Sequence, residues 1–257
     1  MKLFNNLYNY RELLRTNVKK EIRGKYKGSF LGVLWSFLNP LLMVLVYAIV
    51  FPYIMRIKTE NYLIFLICGV IPWTFFTTVM TQGMISIRIN AGIIKKVYFP
   101  REILPISVAV SGLVNFFISC IIILLFCIFG SIGLSWHLIL LPFIALIQFI
   151  FTLGLILAFS SINIFVKDVE YIVQFIINML FYATPILYNA ELFPENLRWI
   201  LYINPLAHIV DAYRNIFMYH KTPVFGSVVY MTVFSLVIFI IGIAIFRRLE
   251  KGFAEEL

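Results

Sequence analysis

The sequence predicts an all-α integral membrane fold: six transmembrane helices, an N-terminal amphipathic interfacial helix, and short re-entrant outer helices before the sixth span. Three observations predict it. Of 257 residues, 62% are hydrophobic and 13% charged, against roughly 45–50% and about 25% in soluble domains. The apolar residues gather into uncharged runs long enough to cross about 30 Å of hydrocarbon at about 1.5 Å per residue. The Lys and Arg residues, 21 in all, stand in blocks between those runs.

Residues 1–32 form the first element, a cytoplasmic basic helix. Leu3, Leu7, Tyr10, Leu14, Val18 and Ile22 share one helical face, and Lys19, Lys20, Arg23 and Lys27 point largely away from it. Such a helix lies on the inner leaflet, where its cations meet anionic lipid or receive substrate headgroups. These residues contain no short apolar core with a small-residue cleavage site, so the first apolar run is expected to stay as a span.

Residues 33–246 hold the transmembrane domain. Its predicted spans are Val33–Ile54, Tyr62–Ile87, Leu104–Phe129, Leu138–Phe165, Tyr171–Tyr188 and Val228–Phe246. Membrane strands are excluded because they are about 9–11 residues long and alternate apolar with polar. Helices alone satisfy the backbone of such long runs in lipid. Residues 247–257 make a cytoplasmic tail. With the N-terminus inside, 16 of the 21 basic residues fall in cytoplasmic segments, the orientation that the positive-inside rule demands. All 12 acidic residues lie outside the spans. A proton-driven carrier, which places ionisable side chains in mid-membrane, is therefore disfavoured.

Polar and aromatic patterns mark the candidate functional segments. The loop 88–103 and its flank read NAGIIKKVYFPREILP, mixing Lys95, Lys96 and Arg101 with Tyr98 and Phe99. That is a composition suited to a soluble partner, or to an ordinary basic loop. Ser107, Ser111, Asn115 and Ser119 recur every four residues on the third span, which reads first as helix packing and second as pore lining. Tyr171, Gln174, Asn178, Tyr182, Pro185 and Tyr188 give the fifth span a polar and aromatic face. With Tyr47, Phe51 and Trp73 they would make a ladder for sugar rings; Tyr182, nearer mid-helix than Tyr188, is the better candidate. Residues 189–221 carry the outer helices, where Pro194 and Pro205 break the chain. Asp211 and Arg214, three apart, are placed to pair.

Several chemistries are missing. No G-x-x-x-x-G-K-[ST] loop is present to cradle phosphates. His137, His208 and His220 are scattered, with none of the spacing of a zinc site. Cys68, Cys120 and Cys127 lie in apolar runs and read as small packing residues. No nucleophile with a positioned base can be assembled from the spans. The net charge of +9 belongs to the membrane-facing loops, and no nucleic-acid partner is expected.

The basic lead-in Lys25-Tyr26-Lys27-Gly28-Ser29, followed by Leu31-Gly32 and by Trp35 through Asn39-Pro40-Leu41, resembles the opening signature of the membrane subunits of type-two ABC exporters. The resemblance is to the polysaccharide and polyol-phosphate group, which moves lipid-linked O-antigen, teichoic acid or capsule. Phe99-Pro100-Arg101-Glu102-Ile103-Leu104-Pro105 is similar to its coupling loop, and Lys167-Asp168-Val169 to its short second cytoplasmic loop. Pro185-Ile186-Leu187-Tyr188 with Asn204-Pro205 resembles its outer gate.

The resemblance implies a homodimer in the bacterial cytoplasmic membrane, multi-pass, with both termini cytoplasmic. Two copies of a separate ATPase would bind it and carry the ATP and Mg, and this chain would bind no cofactor or metal. The substrate would be a lipid-linked glycan. Lys95, Phe99, Pro100, Arg101 and Glu102 would couple to the ATPase. Tyr47, Phe51, Trp73, Asn178 and Tyr182 would meet substrate at the seam, and Pro205, Asp211 and Arg214 would serve the outer gate. Rival readings are a permease for a small hydrophobic cargo, a membrane-embedded polyprenyl-phosphate glycan transferase, and a lipid scaffold.

Overall fold

The computed structural model describes residues 2–24, 30, 32–55 and 61–256, and among them there are helices and turns but no strand. Most of the basic lead-in, Lys25–Ser29 with Leu31, and the charged residues Arg56, Lys58 and Glu60 lie outside the described residues.

The N-terminal segment folds as two helices, α1 (Lys2–Asn9) and α2 (Arg11–Gly24), with Tyr10 between them. Glu12 in the first turn and Arg23 in the last suit the helix dipole of α2. Its apolar side is not left to lipid alone. Leu7, Tyr10, Leu13 and Leu14 pack on the helical core, and α2 lies against α6 (Ile103–Phe129).

α3 (Trp35–Met55) carries Pro40 and Pro52 within it. At about 1.5 Å per residue its 21 residues span about 32 Å. α4 (Tyr62–Ile89) starts after Asn61, which sits in the left-handed region at φ 53°. It occupies the centre of the molecule, packed against α3, α6, α7 (Leu141–Phe165), α8 (Val169–Ala183) and α10 (Pro205–Phe217). A four-residue helix, α5 (Ala91–Ile94), turns the chain from α4 towards α6. A 3-10 turn, Trp136–Leu140, leads into α7 and is headed by the Ser135 hydroxyl. α9 (Trp199–Ile203) precedes α10. α11 (Phe225–Leu249) closes the bundle, followed by a 3-10 turn and α12 (Phe253–Glu256).

Among the described residues, α4, α6, α7 with its lead-in turn, and α11 are the four helices long and apolar enough to cross a membrane. The predicted fifth span differs from the structure. It was expected to run helical from Tyr171 to Tyr188, but α8 stops at Ala183, and Thr184 is extended at φ −107°, ψ 131°. Pro185 is the cause, because a proline ring excludes the helical conformation from the residue before it. Fifteen residues of helix reach only about 22 Å.

The tightest crossing joins α7 and α11. A side-chain carbon added to Gly242 would lie 2.0 Å from the carbonyl oxygen of Gly154, and one added to Gly154 would meet the Phe239 backbone at 2.6 Å. Only paired glycines let the two backbones approach this closely. A polar chain runs through the core beside them. The Tyr213 hydroxyl donates to Gln148 Oε1 at 2.9 Å, and Gln148 Nε2 donates to the Pro72 carbonyl at 2.9 Å. This chain ties α10, α7 and α4 together with its buried amide satisfied at both ends.

Candidate functional site

At one end of the bundle the loop between α4 and α6 divides into an anchored half and an exposed half. Ile94 and Phe99 insert into the core. Between them Lys95, Lys96 and Val97 are exposed, and Tyr98 is 90% exposed. Pro100 and Arg101 are half-buried, and Glu102 is buried. Two apolar residues therefore pin a short projecting turn whose tip mixes cations with an aromatic ring.

The turn's base is held from three directions. Asn6 Nδ2 of α1 donates to Glu102 Oε1 at 2.8 Å. Arg101 Nη1 donates to the Glu250 carbonyl at 2.5 Å, and its guanidinium stands 5.6 Å from the centre of the Phe253 ring. Lys20 Nζ donates to Asn90 Oδ1 at 3.3 Å. Nearby, Arg88 pairs with Glu170, joining the end of α4 to the start of α8. A cavity of about 430 Å³ opens among these groups, with Asn6, Arg101, Glu102, Arg247, Glu250 and Lys251 in its wall. Burial pushes the Glu250 carboxyl above the usual carboxylate range and the neighbouring Glu102 adds to it, while Arg101 pulls the other way.

Of the five residues singled out in this loop, then, Lys95 faces outward, Phe99 and Glu102 face inward, and Arg101 is engaged by the segment after α11. Asn6, Glu250 and Phe253 escaped sequence reasoning because the loop gathers them from both distant parts of the chain. The one local signal is the lone aromatic Phe253 in an otherwise polar tail. Lys19 and Arg23 are exposed on α2.

At the opposite end lies a stretch of non-helical backbone, residues 184–188, whose first four residues are buried. The carbonyls of those four, with that of Ala183 before them, are nonetheless supplied with donors in turn. Asn204 Nδ2 reaches the Ala183 carbonyl at 3.3 Å, the Ile186 N–H the Thr184 carbonyl at 2.7 Å, and the Tyr62 hydroxyl the Leu187 carbonyl at 2.7 Å. Arg214 takes the remaining two, Nη1 donating to Pro185 at 2.6 Å and Nη2 to Ile186 at 2.8 Å. Irregular backbone at membrane depth is tolerated when it is buried in protein and its polar groups are met in this way.

Arg214 is itself 4% exposed and lies 3.4 Å from the centre of the Phe65 ring. Gly69 leaves room for it, since a side-chain carbon there would meet Nη2 at 3.1 Å. The expected Asp211–Arg214 pair does not form. Asp211 is exposed and accepts from Asn215 Nδ2 at 2.9 Å, because the guanidinium is drawn inward by two carbonyls and an aromatic face. Pro205 opens α10, where its fixed φ suits the first helical position; Asn204 caps that helix through Oδ1 to the Leu206 N–H at 3.0 Å. A cavity of about 600 Å³ borders Arg198, His208, Asp211, Arg214 and Lys221.

The aromatic candidates meet through a residue that the sequence reading passed over. Tyr47 packs edge-on to Phe51 at 5.7 Å and lies 6.0 Å from Phe181. Phe181 in turn lies 5.5 Å from Trp73 and 5.4 Å from Tyr182. Phe181 is the hub of this row, adjacent in sequence to the polar face that drew attention to Tyr182. Trp73 is buried, while Tyr182 and Asn178 are exposed on α8. Among the described residues no group of three or more His, Cys, Asp or Glu is arranged to hold a metal ion.

Residues 12–218 match the family described as ABC-2 type transporter. The chain belongs to that family. An O-antigen export system permease protein RfbA of Klebsiella pneumoniae is 39% identical over 262 residues, covering 100% of this chain and 99% of that protein. The protein of the same name from Myxococcus xanthus is 35% identical over the full length of both. The polysialic acid transport protein KpsM of Escherichia coli is 25% identical over 91% of this chain and 92% of its own length. As an ABC-2 membrane subunit the chain is a multi-pass transport protein rather than an enzyme, and ATP hydrolysis lies in a separate ABC ATPase. The family match takes in the loop 88–103, the row around Phe181 and the segment tied by Arg214, so these are parts of one transport domain.

Proposed function

We propose that this ABC-2 subunit is the permease of an exporter that moves a lipid-linked polysaccharide, of the O-antigen or capsule kind, across the bacterial cytoplasmic membrane. The observation that carries the reading is identity of 35–39% along the whole chain to permeases named for O-antigen export. Teichoic acid, a polyol phosphate, belongs to the same class of cargo. The ATPase partner supplies ATP and Mg, and this chain binds no cofactor of its own.

The working arrangement is a homodimer with two ATPase subunits, each chain passing six times and keeping both termini in the cytoplasm. The 16 to 5 distribution of basic residues supports that orientation. α3 supplies the first pass, and α8 completed by the satisfied stretch 184–188 supplies the fifth. The exposed apolar faces of α3 and α8 support a seam between two copies: Leu42, Leu45 and Ile49 on one helix, Phe175 and Met179 on the other, are all about half exposed or more. The aromatic row Tyr47, Phe51, Trp73 and Tyr182, with Asn178, then borders the path of the sugar chain. Pro205, Asp211 and Arg214 belong to the outer gate.

The projecting turn Lys95–Tyr98 is the part of the coupling loop free to meet the ATPase. Phe99, Pro100, Arg101 and Glu102 hold it in place and pass its displacement to α1, α6 and α11. Lys19, Lys20 and Arg23 on α2 receive the anionic lipid head at the inner leaflet. The test is co-expression with the neighbouring ATPase in a strain lacking its O-antigen permease, scoring surface glycan. Restored glycan is expected. Tyr98→Ala and Arg101→Ala are expected to lower glycan-stimulated ATP turnover while the complex still inserts and assembles. A chain that assembles with an ATPase yet restores no glycan would overturn the substrate assignment.

A further inference from the structure

The serine and asparagine stripe of α6 has two fates. Ser107 and Ser111 turn back on their own helix, their hydroxyls donating to the carbonyls of Leu104 at 2.7 Å and Val108 at 3.0 Å. Asn115 and Ser119, one and two turns further on, stand in the wall of a half-open cavity of about 390 Å³ between α3, α4 and α6. From α4, Thr74, Thr78 and Gln82 follow at steps of four and line the same space. Two polar stripes on neighbouring helices thus converge.

The position makes this costly unless something fills it. Asn115 is near the middle of the 27-residue α6 and Thr74 near the middle of the 28-residue α4. Among the described residues neither the Nδ2 nor the Oδ1 of Asn115 has a hydrogen-bond partner. An unmet amide at such depth costs about 1–3 kcal/mol, and hydrocarbon offers it nothing. A rotation about the terminal side-chain bond would offer both atoms to an occupant of the cavity. The volume lies in the range of ordinary small-ligand sites, about 300–1,000 Å³.

The lining selects the occupant's chemistry. Among the described residues the cavity is lined by amides, hydroxyls and the aromatic residues Trp35, Phe75 and Phe116, with no charged side chain. Such a site cannot neutralise a phosphate or a carboxylate, whose burial without a countercharge is prohibitive. It can exchange hydrogen bonds with an uncharged ring bearing several hydroxyls and lay an aromatic face against that ring's C–H surface. The cavity is also distinct from the aromatic row, since Trp73 lies about 100° round α4 from Thr74.

We infer that the α3–α4–α6 cavity, with Thr78, Gln82 and Asn115 as its polar contacts, is a binding site for a neutral sugar unit. The inference rests on the lining; the export reading supplies only one source of such a ligand, the other being the head of a neutral glycolipid.

The test uses the permease–ATPase complex in nanodiscs and a photoreactive alkyl maltoside, with cross-links mapped to peptides. Labelling within residues 71–82 or 112–119 is expected, reduced by excess maltoheptaose if a free glycan segment is the ligand, or by unlabelled alkyl maltoside alone if a glycolipid head is. Thr78→Val and Gln82→Leu, which leave the apolar packing nearly intact, are each expected to lower labelling about tenfold, the effect of roughly 1.4 kcal/mol. Ser107→Ala, outside the cavity, should not change it. Equal competition by an alkyl phosphocholine, or labelling unaffected by either cavity variant, overturns the inference and leaves water as the occupant. Because labelling is read without transport, failure to export glycan and failure of this site are separate results.

Discussion

α4 and α11 are both long and apolar through their middles, yet they stand at opposite extremes of burial. In α4, 78% of the most apolar 18-residue stretch is buried; in α11, which is the more apolar of the two, the share is 17%. A soluble protein would show the reverse. Here the hydrocarbon outside is as apolar as the packed interior, so hydropathy no longer ranks helices by depth. Polar groups collect instead on the central helix, where other helices can meet them. From α7, Gln148 Nε2 donates to the Pro72 carbonyl at 2.9 Å and Asn163 Nδ2 to the Met84 carbonyl at 3.4 Å. α11 instead presents Val233, Val237, Ile240 and Ile241 outward and packs along α7 about a close glycine crossing, with its Tyr230 hydroxyl donating to the Ile203 carbonyl at 2.6 Å.

That contrast is open to measurement as heat-induced loss of the monodisperse species in detergent. Gly242→Leu attacks the closest backbone contact that α11 makes with the bundle. It is expected to abolish the folded species, because backbone lies where the side chain must go and the cost passes the usual overpacking penalty of about 1–3 kcal/mol. A variant as stable as the parent would mean that α7 and α11 do not cross there.

Ile67→Ala, fully buried in α4, should cost about 2–5 kcal/mol through the cavity it leaves. Arg214→Met should cost about 1–3 kcal/mol by leaving the Pro185 and Ile186 carbonyls without donors. Arg214→Lys is expected to recover only part of that loss, since an ammonium lacks the fork that serves two acceptors at once. Ile240→Ala, 64% exposed on α11, should change stability by less than about 0.5 kcal/mol. An Ile240→Ala effect as large as that of Ile67→Ala would indicate that α11 is covered by another chain rather than by lipid or detergent.

The sequence made the helices legible because long uncharged runs have few alternatives, and Pro205 announced where chain geometry changes. The fifth span nevertheless reads as helix through to Tyr188, whereas α8 ends at Ala183, two residues before Pro185, and the non-helical stretch after it persists because Thr184–Leu187 find donors that include Tyr62 of α4 and Arg214 of α10. Nor could charge spacing reveal that Arg214 turns away from Asp211. An i, i+3 pair is a local prospect, and the two carbonyls that outbid it come from almost thirty residues upstream. Within the loop 88–103 the residue types were readable, but which of them face outward was settled by contacts with residues 6 and 250–253. Phe181 was hidden for a simpler reason: an apolar aromatic in an apolar helix carries no signal of its own.

The base of that loop has a consequence for synthesis. Its three supports come from positions 6, 20 and 250–253, and the last of these emerges only after every long helix of the bundle has been made. Until Phe253 settles beneath Arg101, the turn bearing Tyr98 lacks one of its supports. A chain truncated before Phe253 would therefore carry that turn on an incomplete base.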